Sequence, residues 1–94
     1  MTTLEVLEAA RALVARGWCQ GEYRDCYGKV CAFGAIIYSF PMGDPAWHDA
    51  AKAANDAMTA IVGGHVTAWN DAPGRTQEEV LAAFDQAVSQ KRKS

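Results

Sequence analysis

The hydrophobic and polar positions of residues 3–16 repeat with the period of an amphipathic helix. Thr2 and Glu5 stand three positions apart, the spacing of a capping box, in which each side chain bonds the other residue's backbone amide. Gly17 suits the position after the helix, where a left-handed conformation is common. The pattern therefore predicts a first helix that ends near Arg16. Its apolar face consists of Val6, Leu7, Ala10, Leu13 and Val14.

A second, nearly all-apolar run covers residues 31–40. Buried strands and buried helices share this pattern, but the alanine and glycine in it and the helical surroundings favour a short buried helix. Asp44 and Pro45 suit the N-cap and first position of the next helix. Gly63 and Gly64 are expected to end or bend that helix. Its apolar stripe is Trp47, Ala50, Ala51, Ala54, Met58, Ile61 and Val62.

The segment 65–70 fits either one or two helical turns or a short extended piece, and we favour the helical turn. A second capping box, Thr76 with Glu79, follows a Pro-Gly turn and predicts a last helix from Gln77 to about Ser89. Its buried face is Val80, Leu81, Phe84, Ala87 and Val88.

Residues 18–31 contain little helical pattern. The sequence Asp25-Cys26-Tyr27-Gly28 suits a type I turn with Gly28 where positive φ is needed. The short segments on either side of this turn are predicted to pair as a β-hairpin. A two-stranded hairpin of this size is only marginally stable alone, so we expect it to pack on helices. The expected fold class is therefore mainly α: three to four helices, with a short β-hairpin between the first two.

The composition suits one small globular domain over residues 1–94, with 50% hydrophobic and 21% charged residues. A net charge of −2 gives no electrostatic reason to expect a nucleic-acid partner. Residues 89–94 are expected to be a frayed basic tail whose cations complement the helix dipole. No apolar run reaches the roughly 20 residues of a membrane span, and the N-terminus does not resemble a signal peptide. We therefore expect a cytoplasmic protein.

Cys19, Cys26 and Cys31 are expected to be free thiols, because cytosolic disulfides are rare and three is an odd number. With His48 or His65 they would offer four zinc ligands. The spacing Cys-x6-Cys-x4-Cys lacks the close cysteine pair typical of zinc knuckles, so the sequence predicts no metal site and no cofactor.

Cys31, at the start of a helix, precedes His65 and then Asn70 or Asp71, the chain order of papain-like thiol enzymes. That order is common by chance, and the chain offers little of the sheet that usually carries such a triad. Asn70 and Asp71 also suit bonding to the amides of the turn that follows, with Asp71 pairing with Arg75. We prefer this turn role.

Tyr23 and Tyr27 lie on the predicted hairpin and its exposed loop. Binding residues are often found on such loops. Aromatic residues are 10% of the chain, and tyrosines left at a surface are favoured in protein interfaces. These two residues are the candidate partner contacts. The alternative is that their rings cover the packing face of the hairpin itself.

Three blocks of sequence together resemble a group of small proteins of actinobacteria and of the phages that infect them. The blocks are GWCQG (17–21), CAFGAI (31–36) and WNDAPGRTQEEVLAAFDQA (69–87), the last being the specific one. The resemblance implies a compact, mostly helical domain without a defined activity, encoded by a phage and acting inside an actinobacterial host. It also implies that Cys31 belongs to the shared pattern, whereas Cys19 and Cys26 do not.

The function we predict is binding of a protein partner, without catalysis, through Tyr23 and Tyr27. The alternative is a small thiol-dependent enzyme that uses Cys31 with His65 and Asn70 or Asp71.

Overall fold

The computed structural model describes residues 2–40 and 47–93. This part of the chain contains five helices: α1 (Thr3–Arg16), α2 (Ala32–Tyr38), α3 (Trp47–Val62), α4 (Val66–Asn70) and α5 (Gln77–Lys93). The fold is thus mainly α, as predicted, with one helix more than expected. The predicted cap at Asp44 and Pro45 lies outside the described residues.

Both capping boxes form. Thr2 Oγ1 accepts the Glu5 amide at 3.1 Å and Glu5 Oε1 accepts the Thr2 amide at 2.9 Å. The same exchange joins Thr76 and Glu79, at 3.2 and 3.0 Å. The bonds from the threonine backbone amides lower the pKa of both glutamates. The first and last helices therefore begin where the sequence predicts.

The core lies where α1 packs against α2, α3 and α5. α5 continues past its predicted end at Ser89, and Arg92 there pairs with Glu8 of α1 at 2.8 Å. The apolar faces predicted for α1 and α5 meet in this core, although Leu13 and Leu81 are only partly buried. The largest fully buried apolar side chains are Val6, Leu7, Val14, Val30, Ile36, Met58, Val80 and Phe84.

Two glycines end helices in different ways. Gly63 has φ +82° and ends α3 as predicted. Gly17 has φ 175°, which is extended backbone, so the predicted left-handed cap is wrong there. A Cβ at Gly17 would lie 2.8 Å from Cγ of Lys29, so glycine provides room for the returning chain rather than a special conformation.

The predicted β-hairpin is absent: between α1 and α2 the structure has no strand. Val30 instead forms single bridges to Trp18 (parallel) and to Arg24 (antiparallel). The predicted turn does form, with the Gly28 amide donating to the Asp25 carbonyl at 3.1 Å and φ +81° at Gly28. The Asp25 side chain accepts the amides of Tyr27 and Lys29, both at 2.9 Å, and this closes a compact loop instead of a ladder.

No helix among the described residues is long and apolar enough to cross a membrane.

Candidate functional site

The buried side chain of Asn70 connects α4 to the segment between α1 and α2. Its Oδ1 accepts hydrogen bonds from Trp18 Nε1 at 2.7 Å and from the Ala32 amide at 3.0 Å. Its Nδ2 donates to the Cys19 carbonyl at 3.2 Å and to Asp71 Oδ1 at 2.9 Å. Because a carboxamide has two acceptor and two donor positions, Asn70 uses its full capacity in a solvent-excluded place.

Neighbouring residues reinforce this connection. Gln20 Nε2 donates to the carbonyls of Asn70 at 3.0 Å and Ala72 at 3.1 Å. Asp71 Oδ1 accepts the Gly21 amide at 3.0 Å. We call these contacts, with those of Asn70, the Asn70 network. The Asn70 network holds the start of the loop between α1 and α2 in place, although the residues it joins are about fifty positions apart in the sequence.

The predicted local roles of Asn70 and Asp71 are therefore wrong. Both bond the distant loop rather than the turn that follows. Arg75 does not pair with Asp71: its guanidinium lies 4.1 Å from the centre of the Trp69 ring and bonds Glu79 at 3.1 Å. Trp69 is only partly buried and packs against the core, in agreement with an anchoring role.

Cys31 caps α2 and contributes to the wall of a cavity of about 520 Å³, which we call the Cys31 cavity. The residue is 1% exposed, and its Sγ accepts the Gly34 amide at 3.2 Å. Burial raises the pKa of the Cys31 thiol, and the negative charge of Asp71 raises it further. The net effect favours the protonated thiol over the thiolate, although the Gly34 amide acts in the opposite direction. The rest of the wall consists of residues 21–24, Thr67 and Asp71.

The residues of the alternative enzyme site are only partly brought together. Asn70 and Asp71 lie near Cys31 in the Asn70 network and the cavity wall. His65 is exposed at the N-terminus of α4 and is not among the residues that line the Cys31 cavity. Within residues 2–40 and 47–93, no hydrogen bond joins His65 to Cys31. The amide of Asn70 has no capacity left to orient a histidine.

The zinc alternative also lacks a cluster. Cys26 is exposed, Cys19 is partly buried and Cys31 is buried, and all three are free. The Cys19 thiol contacts the carbonyls of Glu22 at 3.4 Å and Lys29 at 3.3 Å. In the described ranges no three His, Cys, Asp or Glu side chains are grouped to hold a metal ion.

The three environments predict an order of thiol reactivity. We expect iodoacetamide near neutral pH to alkylate Cys26 first, Cys19 later and Cys31 more than about tenfold slower than Cys26, since the reagent needs an accessible thiolate. Burial raises the pKa of Cys19 as well as that of Cys31. Trypsin cuts after Arg16, Arg24 and Lys29, so each cysteine falls on its own peptide for mass spectrometry. Rapid alkylation of Cys31 at about pH 6 would instead favour the thiol enzyme.

Three tyrosines are the exposed large hydrophobic residues of the described chain: Tyr23 at 51%, Tyr27 at 84% and Tyr38 at 48%. Tyr23 also packs edge-on against Phe33, with ring centres 5.3 Å apart. The guanidinium of Arg24 lies 5.3 Å from the centre of the Tyr38 ring. The sequence did not identify Tyr38 as a candidate partner contact, because it belongs to the apolar run 31–40, which was expected to form a buried helix.

A second depression in the surface, a groove of about 620 Å³, shares Arg24 with the wall of the Cys31 cavity. Arg16, Arg24 and Lys29 line the groove, and we call it the cationic groove. Tyr27 and Tyr38 also line it, together with the partly buried apolar side chains of Leu13 and Phe40. Within the described chain its lining includes no carboxylate. No sequence signal identified it, because its cations come from separate segments.

The fold and site define a small, mainly α-helical protein with a closed loop held against α4. The chain belongs to the DUF6197 family, described as a family of unknown function, whose pattern matches residues 1–90. No match is found among curated proteins or among solved structures.

Proposed function

We propose that this protein binds a protein partner, without catalysis, through the tyrosine surface, which we define as Tyr23, Tyr27 and Tyr38. The observation that carries the proposal is the exposure of these three rings on or beside one loop. Tyrosines are enriched at interface centres because a large, stiff ring gives contact area at a low entropic cost.

The rigidity of the loop supports the same function. The Asn70 network holds its first half, and Asp25 closes its second half through two backbone amides. A loop that is already ordered loses little conformational entropy when a partner binds. The ring of Tyr27, 84% exposed, has a large area left to bury. Exposure and order together favour a docking loop over a flexible connection.

The biological setting is part of the proposal. On the resemblance of its three sequence blocks, we place the protein in the cytoplasm of an actinobacterial host, encoded by a phage and acting on a host factor. The thiol-enzyme alternative needs a Cys31 thiolate, which the raised pKa of this buried thiol disfavours.

Affinity capture from an actinobacterial lysate tests the proposal. We expect the tagged wild type to retain a protein that the Tyr23→Ala/Tyr27→Ala variant loses by more than about tenfold, because interface tyrosines often carry much of the binding energy. The matched control is Glu78→Ala/Gln86→Ala, two exposed positions on α5. Tyr27→Ala alone avoids the contact that Tyr23 makes with Phe33. Equal retention by wild type and tyrosine variants would refute the tyrosine surface.

A further inference from the structure

The cations that line the cationic groove differ from four other cations of the described chain, which are ion-paired. Arg11, Lys52, Arg75 and Arg92 each pair with a carboxylate, at 2.8 to 3.1 Å. Arg16, Arg24 and Lys29 line one groove, and none of them has a carboxylate partner among the described residues. Three positive charges therefore line one groove of a protein whose net charge is −2. Such a patch attracts an anionic partner group.

Resting on the proposed function, we infer that the cationic groove takes an acidic segment of the partner protein that also carries apolar side chains. The cations would face the carboxylates of that segment. The partly buried side chains of Leu13 and Phe40 offer apolar surface in the same groove, and the exposed Tyr27 ring can cover the bound chain. An interface of this kind combines an apolar centre with charges at its rim.

The same features disfavour nucleic acid as the occupant. Arg24 already lies over the Tyr38 ring, which reduces the free face on which a base could stack. Three cations are few for a phosphate backbone, and the net negative charge of the chain repels a long polyanion. A short acidic peptide needs only the groove itself.

Fluorescence anisotropy of a labelled peptide tests this inference. The probe alternates Asp and Glu with Leu and Phe, and its neutral counterpart has Asn and Gln in place of the acids. We expect the wild type to bind the acidic peptide at least about tenfold more tightly than the neutral one, with affinity falling as salt is added. Arg16→Gln/Lys29→Gln should lose most of this difference, because it removes two charges while leaving polar side chains with part of the aliphatic stem. Lys93→Gln, an exposed cation at the end of α5, is the matched control.

Each other outcome overturns the inference. If both peptides bind equally and Tyr27→Ala abolishes their binding, the tyrosine surface still binds peptide. Recognition of the negative charges by the cationic groove would then be refuted. Failure of both peptides would refute the inference, and the lysate capture then decides the proposed function separately. Tighter binding of a single-stranded oligonucleotide would assign the groove to nucleic acid. A dimer in sedimentation that Arg16→Gln/Lys29→Gln dissociates would assign it to a second copy of this chain.

Discussion

Replacing Asn70 with alanine is expected to lower the free energy of unfolding by about 4 kcal/mol, a large part of the roughly 5–15 kcal/mol typical of a domain. The side chain makes four hydrogen bonds. Its removal leaves Trp18 Nε1, the Ala32 amide and the Cys19 carbonyl without the hydrogen-bond partner that Asn70 provides. A buried polar group that loses its partner costs more than the bond contributed. Chemical denaturation followed by circular dichroism measures the change.

Asn55→Ala is the matched control, because it makes the same substitution on a helix. Asn55 Oδ1 is buried without a hydrogen-bond partner in the described structure, so its removal deletes an unsatisfied group. Alanine is also the better helix former, and we expect a change within about 0.5 kcal/mol. A loss at Asn70 no larger than that at Asn55 would show that the Asn70 network does not hold the fold together.

Replacing Gly34 with alanine is expected to destabilise the protein by about 3 kcal/mol and to displace the loop. A Cβ at Gly34 would fall on the carbonyl oxygen of Tyr23, which already accepts the Cys31 amide at 3.2 Å. Neither side can yield easily, because Gly34 is inside α2 and the loop backbone is tied to α4. Since Tyr23 would move with its carbonyl, partner binding should weaken in the same variant.

Gly64→Ala separates this clash from the general effect of adding a methyl group. Nothing lies within 4 Å of a Cβ at Gly64, so the substitution should be neutral or slightly stabilising through the unfolded chain. Thermal and urea unfolding of both variants gives the comparison. Equal stability of the Gly34 and Gly64 variants would mean that the approach of the Tyr23 backbone is not tight.

Features whose partners are close in sequence could be predicted. The capping boxes at Thr2 and Thr76 each depend on a glutamate three positions away, and both form. The turn ending at Gly28 and the helical turn after His65 were likewise correct. The hairpin was wrong because a turn signal does not specify pairing, and Val30 bridges two different segments.

The site depends on contacts that local patterns do not encode. Asn70 looked like a turn residue because Asx side chains often bond nearby amides. Three of its four partners are instead 38 to 52 positions away, and only the packing of α4 against the loop brings them together. The cationic groove is similar, since Arg16 ends α1 whereas Arg24 and Lys29 belong to the loop. Tyr23 and Tyr27 were proposed from composition and remain a prediction until a partner is tested.

Hydrogen exchange of the protein with and without its captured partner tests the central claim most directly. If the tyrosine surface is the interface, binding should slow the exchange of backbone amides in residues 21–30. Exchange at the solvent-exposed positions of α5 should not change. The reason is that a docked surface excludes water and suppresses local opening. The Tyr27→Ala variant should show no such slowing under the same conditions. Protection confined to α3 or α5, with residues 21–30 unaffected, would contradict the account.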